Sequence, residues 1–278
     1  MSLVSFYSFI MTKKLFYITS EMDPFTSVSP LSDLSVKVPL GLQEKGNDVR
    51  CLMPKYGFIS ERKYILREVI RLKEILFSFD DTDYACSAKS AFLPKSRLQV
   101  YFLEHEDIFG ELNNLLYKAK NGRYLNDNDK RFAFYCLAAI KMLPNLFWYP
   151  NVIICSGWTS ALIPMLVKIL AKDDKDLSKI KTVYLASSLN EDIVFDPSNL
   201  GFNKETFSPF KSLNLNQIGC MYADKTIVVN GAEKVSSKLM KLKVFKDAKN
   251  CSIVDLDYGD NTDYSPLLDS IELAIKKI

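Results

Sequence analysis

The sequence predicts a three-layer α/β domain with a mostly parallel sheet, and three observations carry that expectation. Short apolar runs of strand length recur along the chain. Segments with apolar residues at helical spacing lie between several of them. One stretch, residues 62–93, breaks this rhythm and reads as an inserted hairpin or meander.

The strand-like runs are Lys14–Thr19, Asp48–Met53, Leu98–Leu103, Val152–Cys155, Thr182–Ala186, Lys225–Val229 and Ser252–Asp255. Residues Leu34–Lys45 fill the space between the first two as a helix. Asp127–Leu146 places Phe132, Tyr135, Cys136, Ala139, Ile140 and Leu143 at helical spacing. Trp158–Ala171 follows the fourth run directly, and Ser265–Ile278 is a terminal helix whose Leu267, Leu268, Ile271, Ala274, Ile275 and Ile278 need a surface to pack on. Met11 reads as an alternative start, so residues 1–10 are expected to be a leader or upstream extension and residues 11–278 a single domain.

Composition narrows the function classes. The chain has 278 residues, 48% hydrophobic and 25% charged, which suits a globular protein with a large core. Its 36 basic and 33 acidic residues are mixed, with no basic run interleaved with aromatics, so no nucleic-acid partner is expected. No stretch reaches the ~18–20 apolar residues of a membrane span. Six cysteines form no CxxC pair and sit largely in apolar segments; they read as reduced, buried thiols of a cytoplasmic protein. The single histidine, His105, reads as a solvated loop residue, and no metal or other cofactor is expected.

The stretch "SEMDPFTSVSPLSDLSVKVP", Ser20–Pro39, joins the first strand to the first helix. Such loops often bind phosphate, because a helix N-terminus offers free N–H groups and a positive dipole end. This one has neither glycine nor lysine between Glu21 and Val36.

Five colinear motifs supply a reference for that oddity. Ser20-Glu21-Met22-Asp23-Pro24-Phe25, then Leu31 and Asp33, then Gly46-Asn47-Asp48-Val49-Arg50 and Pro54-Lys55-Tyr56 form the first. The others are "VYFLEHEDIF", Asp127-Asn128-Asp129-Lys130-Arg131-Phe132-Ala133-Phe134, Trp158-Thr159-Ser160-Ala161-Leu162-Ile163-Pro164, and "MYADKTIVVN". Together they resemble the N-terminal half of bacterial glycogen synthases and plant starch synthases, GT-B glycosyltransferases that extend an α-1,4-glucan from a sugar nucleotide. The resemblance spans about residues 13–262. It implies a Rossmann-like domain whose strand ends face a catalytic cleft.

The resemblance also implies what has been exchanged. The family's K-T-G-G-L-G loop corresponds to Ser27, Val28, Ser29, Pro30 and Leu31 and neighbours, so the lysine has become Ser27 and the two glycines Ser29 and Pro30. Proline has no N–H to offer a phosphate. The family's H-D-W-H turn corresponds to Ser156, Gly157, Trp158 and Thr159, and its I-H-N-L segment to Ala186, Ser187, Ser188 and Leu189. Asp127 and Glu21 are retained. Each also has a structural reading: Asp127 as an N-cap for the helix beginning near Asn128, Glu21 as an acceptor for loop amides.

On this reading the chain ends where relatives continue into a second domain. The expectation is a catalytically inactive binding or regulatory scaffold. The alternatives are an ADP-glucose-dependent glucosyltransferase, or half of a split enzyme completed by another chain. A glucan or sugar nucleotide is a candidate ligand. A homodimer or partner protein is expected to use an apolar face that includes Phe25, Val28 and Leu31, with Trp158 packed in the core.

Overall fold

The structure, a computed structural model, describes residues 12–112, 114–188, 214–231, 234–239, 241, 250–259 and 261–278. The expected leader and Leu189 lie outside the described residues.

Strands β1 (Lys14–Ile18) and β2 (Asp48–Pro54) run parallel, with Lys14 opposite Asp48 and Ile18 opposite Leu52. Between them lies helix α1 (Leu31–Glu44), which buries Leu31, Leu34, Val38 and Leu42 along one stripe. It begins three residues earlier than the apolar spacing predicts. Pro30 stands just before it, where a missing N–H costs no helical bond.

The expected insertion is present. Its parts are a short helix α2 (Glu61–Tyr64), β3 (Arg67–Glu68), β4 (Ile75–Phe79) and β5 (Thr82–Phe92). β4 and β5 form a hairpin, and β5 continues antiparallel to β6 (Gln99–Glu104). Helix α3 (Asn128–Lys141) follows, then a single turn α4 (Leu143–Leu146). One helix was expected over this range; Pro144 lacks the N–H an interior position needs, so the chain breaks after α3.

Strand β7 (Val152–Ser156) leads to a 3₁₀ turn at Trp158–Ser160 and then helix α5 (Ile163–Leu170). The sequence predicts a continuous helix here too. Gly157, at φ +77°, turns the chain sharply, and Pro164 at the start of α5 resets the helix. The remaining elements are β8 (Lys181–Ala186), α6 (Leu215–Tyr222), β9 (Lys225–Asn230), α7 (Val235–Leu239), β10 (Cys251–Asp255) and α8 (Ser265–Lys277).

The strand order is β10-β9-β8-β7-β1-β2-β6-β5-β3, with β4 hanging from β5. Every neighbouring pair from β10 to β6 is parallel. The sheet therefore grows outward from β1 in both directions. Right-handed crossovers place α1 on one face and α3, α5 and α6 on the other. β1 is buried almost throughout, as both covers require: Leu15, Phe16, Tyr17 and Ile18 are all 0% exposed.

Helix α8 packs beside α1, as its apolar spacing demands. Leu267, Ile271, Ala274 and Ile275 are buried, and Leu268 fills the notch left by Gly41. Lys45 Nζ bridges Asp269 at 3.0 Å and Glu272 at 3.3 Å. A side-chain Cβ at Gly41 would stand 2.5 Å from Leu268 Cδ1, so the bare backbone there sets how closely the two helices approach.

Candidate functional site

Parallel α/β sheets gather their variable loops at the C-terminal ends of the strands. In this chain the loops after β1 and β7 meet there. Leu31 lies against Gly157, where a Cβ would come within 3.2 Å of Leu31 Cδ2. That contact closes the first helix onto the β7 turn.

The polar groups beneath it form two connected chains of hydroxyls. In the first, Tyr17 OH donates to Ser156 Oγ at 2.8 Å, and Ser35 Oγ bonds Thr19 Oγ1 at 2.8 Å. In the second, Thr159 Oγ1 donates to Ser20 Oγ at 2.8 Å, and Ser20 Oγ lies 2.6 Å from Tyr117 OH. Tyr117 OH donates to Glu21 Oε1 at 2.8 Å. A carboxylate only accepts, so its position at the end of the chain sets the direction: Thr159 to Ser20 to Tyr117 to Glu21. Ser20, Glu21 and Ser156 are 0% exposed and Thr159 is 1% exposed.

Glu21 is also the answer to the loop without glycine or lysine. Its Oε2 accepts from the backbone N–H of Ser29 at 2.8 Å and of Val28 at 3.2 Å, and its Oε1 accepts from Ser29 Oγ at 3.0 Å. The amides ahead of α1 are thus occupied by the protein's own carboxylate. Pro30 contributes no N–H, and Ser29 Oγ accepts from Leu31 N–H at 3.2 Å. Burial raises the Glu21 carboxyl above its ordinary value, and the hydrogen bonds from Tyr117 and Ser29 oppose that rise. Of the two readings of Glu21, the acceptor of loop amides is the one its geometry fits.

The other candidate positions are dispersed. Ser27 is exposed and Val28 is 37% exposed. Ser187 and Ser188 are half-buried, and Ser187 Oγ lacks a partner among the described residues. Asp127 occupies the N-cap position of α3, but its side chain caps no amide; it pairs with Arg131 Nη2 four residues on. The capping role expected for it is therefore corrected. His105 is corrected as well. It is half-buried, with its ring edge-on to Tyr84 and Phe134 at centroid distances of 5.4 Å and 5.3 Å.

The apolar face expected for association is also not formed as predicted. Phe25 is 4% exposed, edge-on to Tyr64 at 4.8 Å and Phe102 at 4.9 Å, and Leu31 is 7% exposed. Tyr64, in the insertion, supplies a cover the loop sequence does not reveal. Trp158 packs in the core as expected, against Tyr117 and Phe132.

Sequence reasoning missed the partners of these positions. Tyr17, Ser35 and Tyr117 lie outside the motif positions singled out in the sequence, yet they satisfy the groups inside them. The hydroxyls at Ser27, Ser29, Ser156, Thr159, Ser187 and Ser188 were the available signal. Among the described residues no group of three or more His, Cys, Asp or Glu side chains is placed to hold a metal ion. No described helix is long and apolar enough to cross a membrane.

A mostly parallel sheet with helices on both faces and its loops gathered at the strand ends defines a doubly wound α/β domain. The profile of the starch synthase catalytic domain matches residues 14–233, and the chain belongs to that family. It is 35% identical over 170 residues to a glycogen synthase of Chlorobium limicola, covering 61% of this chain and 35% of the relative. A glycogen synthase of Chlorobaculum parvum is 30% identical over 217 residues, covering 76% of this chain and 44% of the relative. The chain thus spans between about a third and a half of the length of such relatives. The catalytic domain of starch synthase IV from Arabidopsis thaliana, solved with ADP and acarbose, has a similar fold. The TM-score is 0.69 at 18% identity, over 89% of this chain and 52% of that one.

Proposed function

We propose that this chain is a non-catalytic member of the family, acting as a binding or regulatory scaffold. The observation that carries the reading is the closed hydroxyl network at the ends of β1 and β7. Glycosyl transfer from a sugar nucleotide needs cations or N–H groups on the departing phosphates and oriented polar groups on the sugar. At the exchanged positions Ser156 and Thr159 bond to the protein itself and are sealed from solvent, and the loop amides are taken by Glu21. A group already satisfied and dry has no free valence for a substrate.

The name glycogen synthase carried by relatives supports a second reading, an ADP-glucose-dependent glucosyltransferase, either in one chain or as half of a split enzyme. One pair of measurements separates the two. Purified protein is assayed for transfer of labelled glucose from ADP-glucose to glycogen. It is also titrated calorimetrically with ADP, ADP-glucose, UDP-glucose and maltooligosaccharides. The scaffold reading expects no turnover, with or without ligand binding. Turnover that scales with protein and is lost in Asp127→Ala overturns it.

A further inference from the structure

Helix α3 begins with an arrangement that the hydroxyl network does not use. Arg131, in its first turn, is 8% exposed, yet Nε and Nη1 have no hydrogen-bond partner among the described residues. Its Nη2 is engaged by Asp127. Asn128 is 1% exposed; its Nδ2 donates to Tyr117 O at 2.9 Å, while its Oδ1 accepts no bond among the described residues. Residues 128 and 131 are three apart on a helix, so their side chains share a face. Buried donors and acceptors without partners are rare, because each forfeits its hydration.

Three features of this turn point to one kind of ligand. The first is a guanidinium with unused N–H groups, the side chain best matched to oxyanions. The second is the N-terminus of a helix of 14 residues, the positive end of the dipole, where the N-cap residue Asp127 makes no side-chain capping bond. The third is an unused acceptor, Asn128 Oδ1, which suits an oxyanion that still carries an O–H. Phosphate near neutral pH has such a group, whereas sulfate does not.

We propose that the first turn of α3 is a binding site for a phosphate group, held by Arg131 and read by Asn128 through a phosphate O–H. Asp127 is its built-in competitor. The Asp127 side chain is 59% exposed against 9% for Arg131, so it returns to water readily when another oxyanion takes its place. Arg131, being buried, stays paired throughout the exchange. The binding step is an exchange of one anion for another at the same guanidinium, with no covalent change. This inference goes beyond the scaffold reading and does not depend on it, since glucose transfer is measured separately.

The test is calorimetric titration and thermal unfolding of the full chain with inorganic phosphate and with sulfate, at constant ionic strength. Wild type binds phosphate saturably, and sulfate at least about tenfold more weakly, the scale of one lost hydrogen bond. Asp127→Ala tightens phosphate binding about tenfold, as removal of an ionic competitor should. It also makes the unfolding temperature rise more steeply with phosphate than in wild type. Arg131→Gln abolishes saturable binding, and Arg131→Lys, which keeps the charge without the fork, weakens it.

Because a buried arginine is hard to replace, the surface variant Asp127→Ala decides the matter if the Arg131 variants do not fold. No saturable phosphate binding in either wild type or Asp127→Ala overturns the site, as does binding that Arg131→Gln leaves unchanged. Sulfate bound as tightly as phosphate overturns the role of Asn128. Methyl phosphate, titrated at pH 6, supports the site if it binds. Equal affinity then assigns the site to phosphate esters, and weaker affinity to the free ion.

Discussion

The ends of β1 and β7 and the first turn of α3 are neighbours in the fold and opposites in their chemistry. At the strand ends every hydroxyl in the Thr159–Ser20–Tyr117–Glu21 series has a partner inside the protein. At the helix start, Arg131 and Asn128 are also buried and keep unused valences among the described residues. Both regions correspond to motifs of the same family. The contrast teaches that two neighbouring buried polar clusters can differ in kind: one satisfies its groups within the protein, while the other keeps donors and acceptors unused among the described residues.

The comparison can be broken at its strongest point. Glu21→Ala removes the acceptor shared by Tyr117, Ser29 and two backbone amides and should cost roughly 3–4 kcal/mol in urea unfolding. A loss below about 1 kcal/mol shows that water replaces the carboxylate easily and that the network is not closed. Thr159→Val keeps the side-chain shape and deletes the first donor of the series. The expected cost is about 1–2 kcal/mol, and an unchanged denaturation midpoint removes Thr159 from the network.

The other side of the contrast predicts a smaller effect. Asn128→Ala deletes one hydrogen bond to Tyr117 O and also one unpartnered acceptor, so the two changes offset and the net loss should stay under about 1 kcal/mol. A loss as large as that of Glu21→Ala means Asn128 belongs to the closed region after all.

The gentlest probe is pH. The carboxyl of Glu21 lies above its ordinary value of 4.5 because of burial. Between 4.5 and its raised folded value, the folded chain holds this proton more tightly than the unfolded chain does. The associated stability is fully present below 4.5 and is lost as pH rises through the folded value. Glu21→Gln should flatten that part of the profile measured by chemical denaturation. An unchanged slope assigns it to other groups.

Much of the fold is legible in the sequence because strand and helix periodicity is a local property. All seven predicted strand runs are present, shifted at their ends by a residue or so. The helix boundaries were less legible, since Pro144 and Pro164 reset helices that the apolar spacing alone would continue. The exchanged residues of the candidate site were visible by position, but their new partners were not. Tyr17 reaches Ser156 across 139 residues of chain, and Thr159 reaches Ser20 across the same separation. The expected exposure of Phe25 failed for a similar reason: Tyr64 and Phe102 cover it from parts of the chain distant in sequence. Unsatisfied atoms such as Arg131 Nε are invisible to sequence reasoning, because they are defined by what does not approach them.

The central place of β1 in the sheet has a consequence for how the chain is made. Leu15–Ile18 pair on one side with β2, which is synthesised soon after, and on the other with β7, about 137 residues later. At a translation rate of roughly 5–20 residues per second, about 7–30 s pass before that second neighbour is complete. Throughout that interval an apolar strand that ends fully buried from Leu15 to Ile18 has one unpaired edge. The hazard of such an edge at birth is aggregation, and it lasts until β7 closes it.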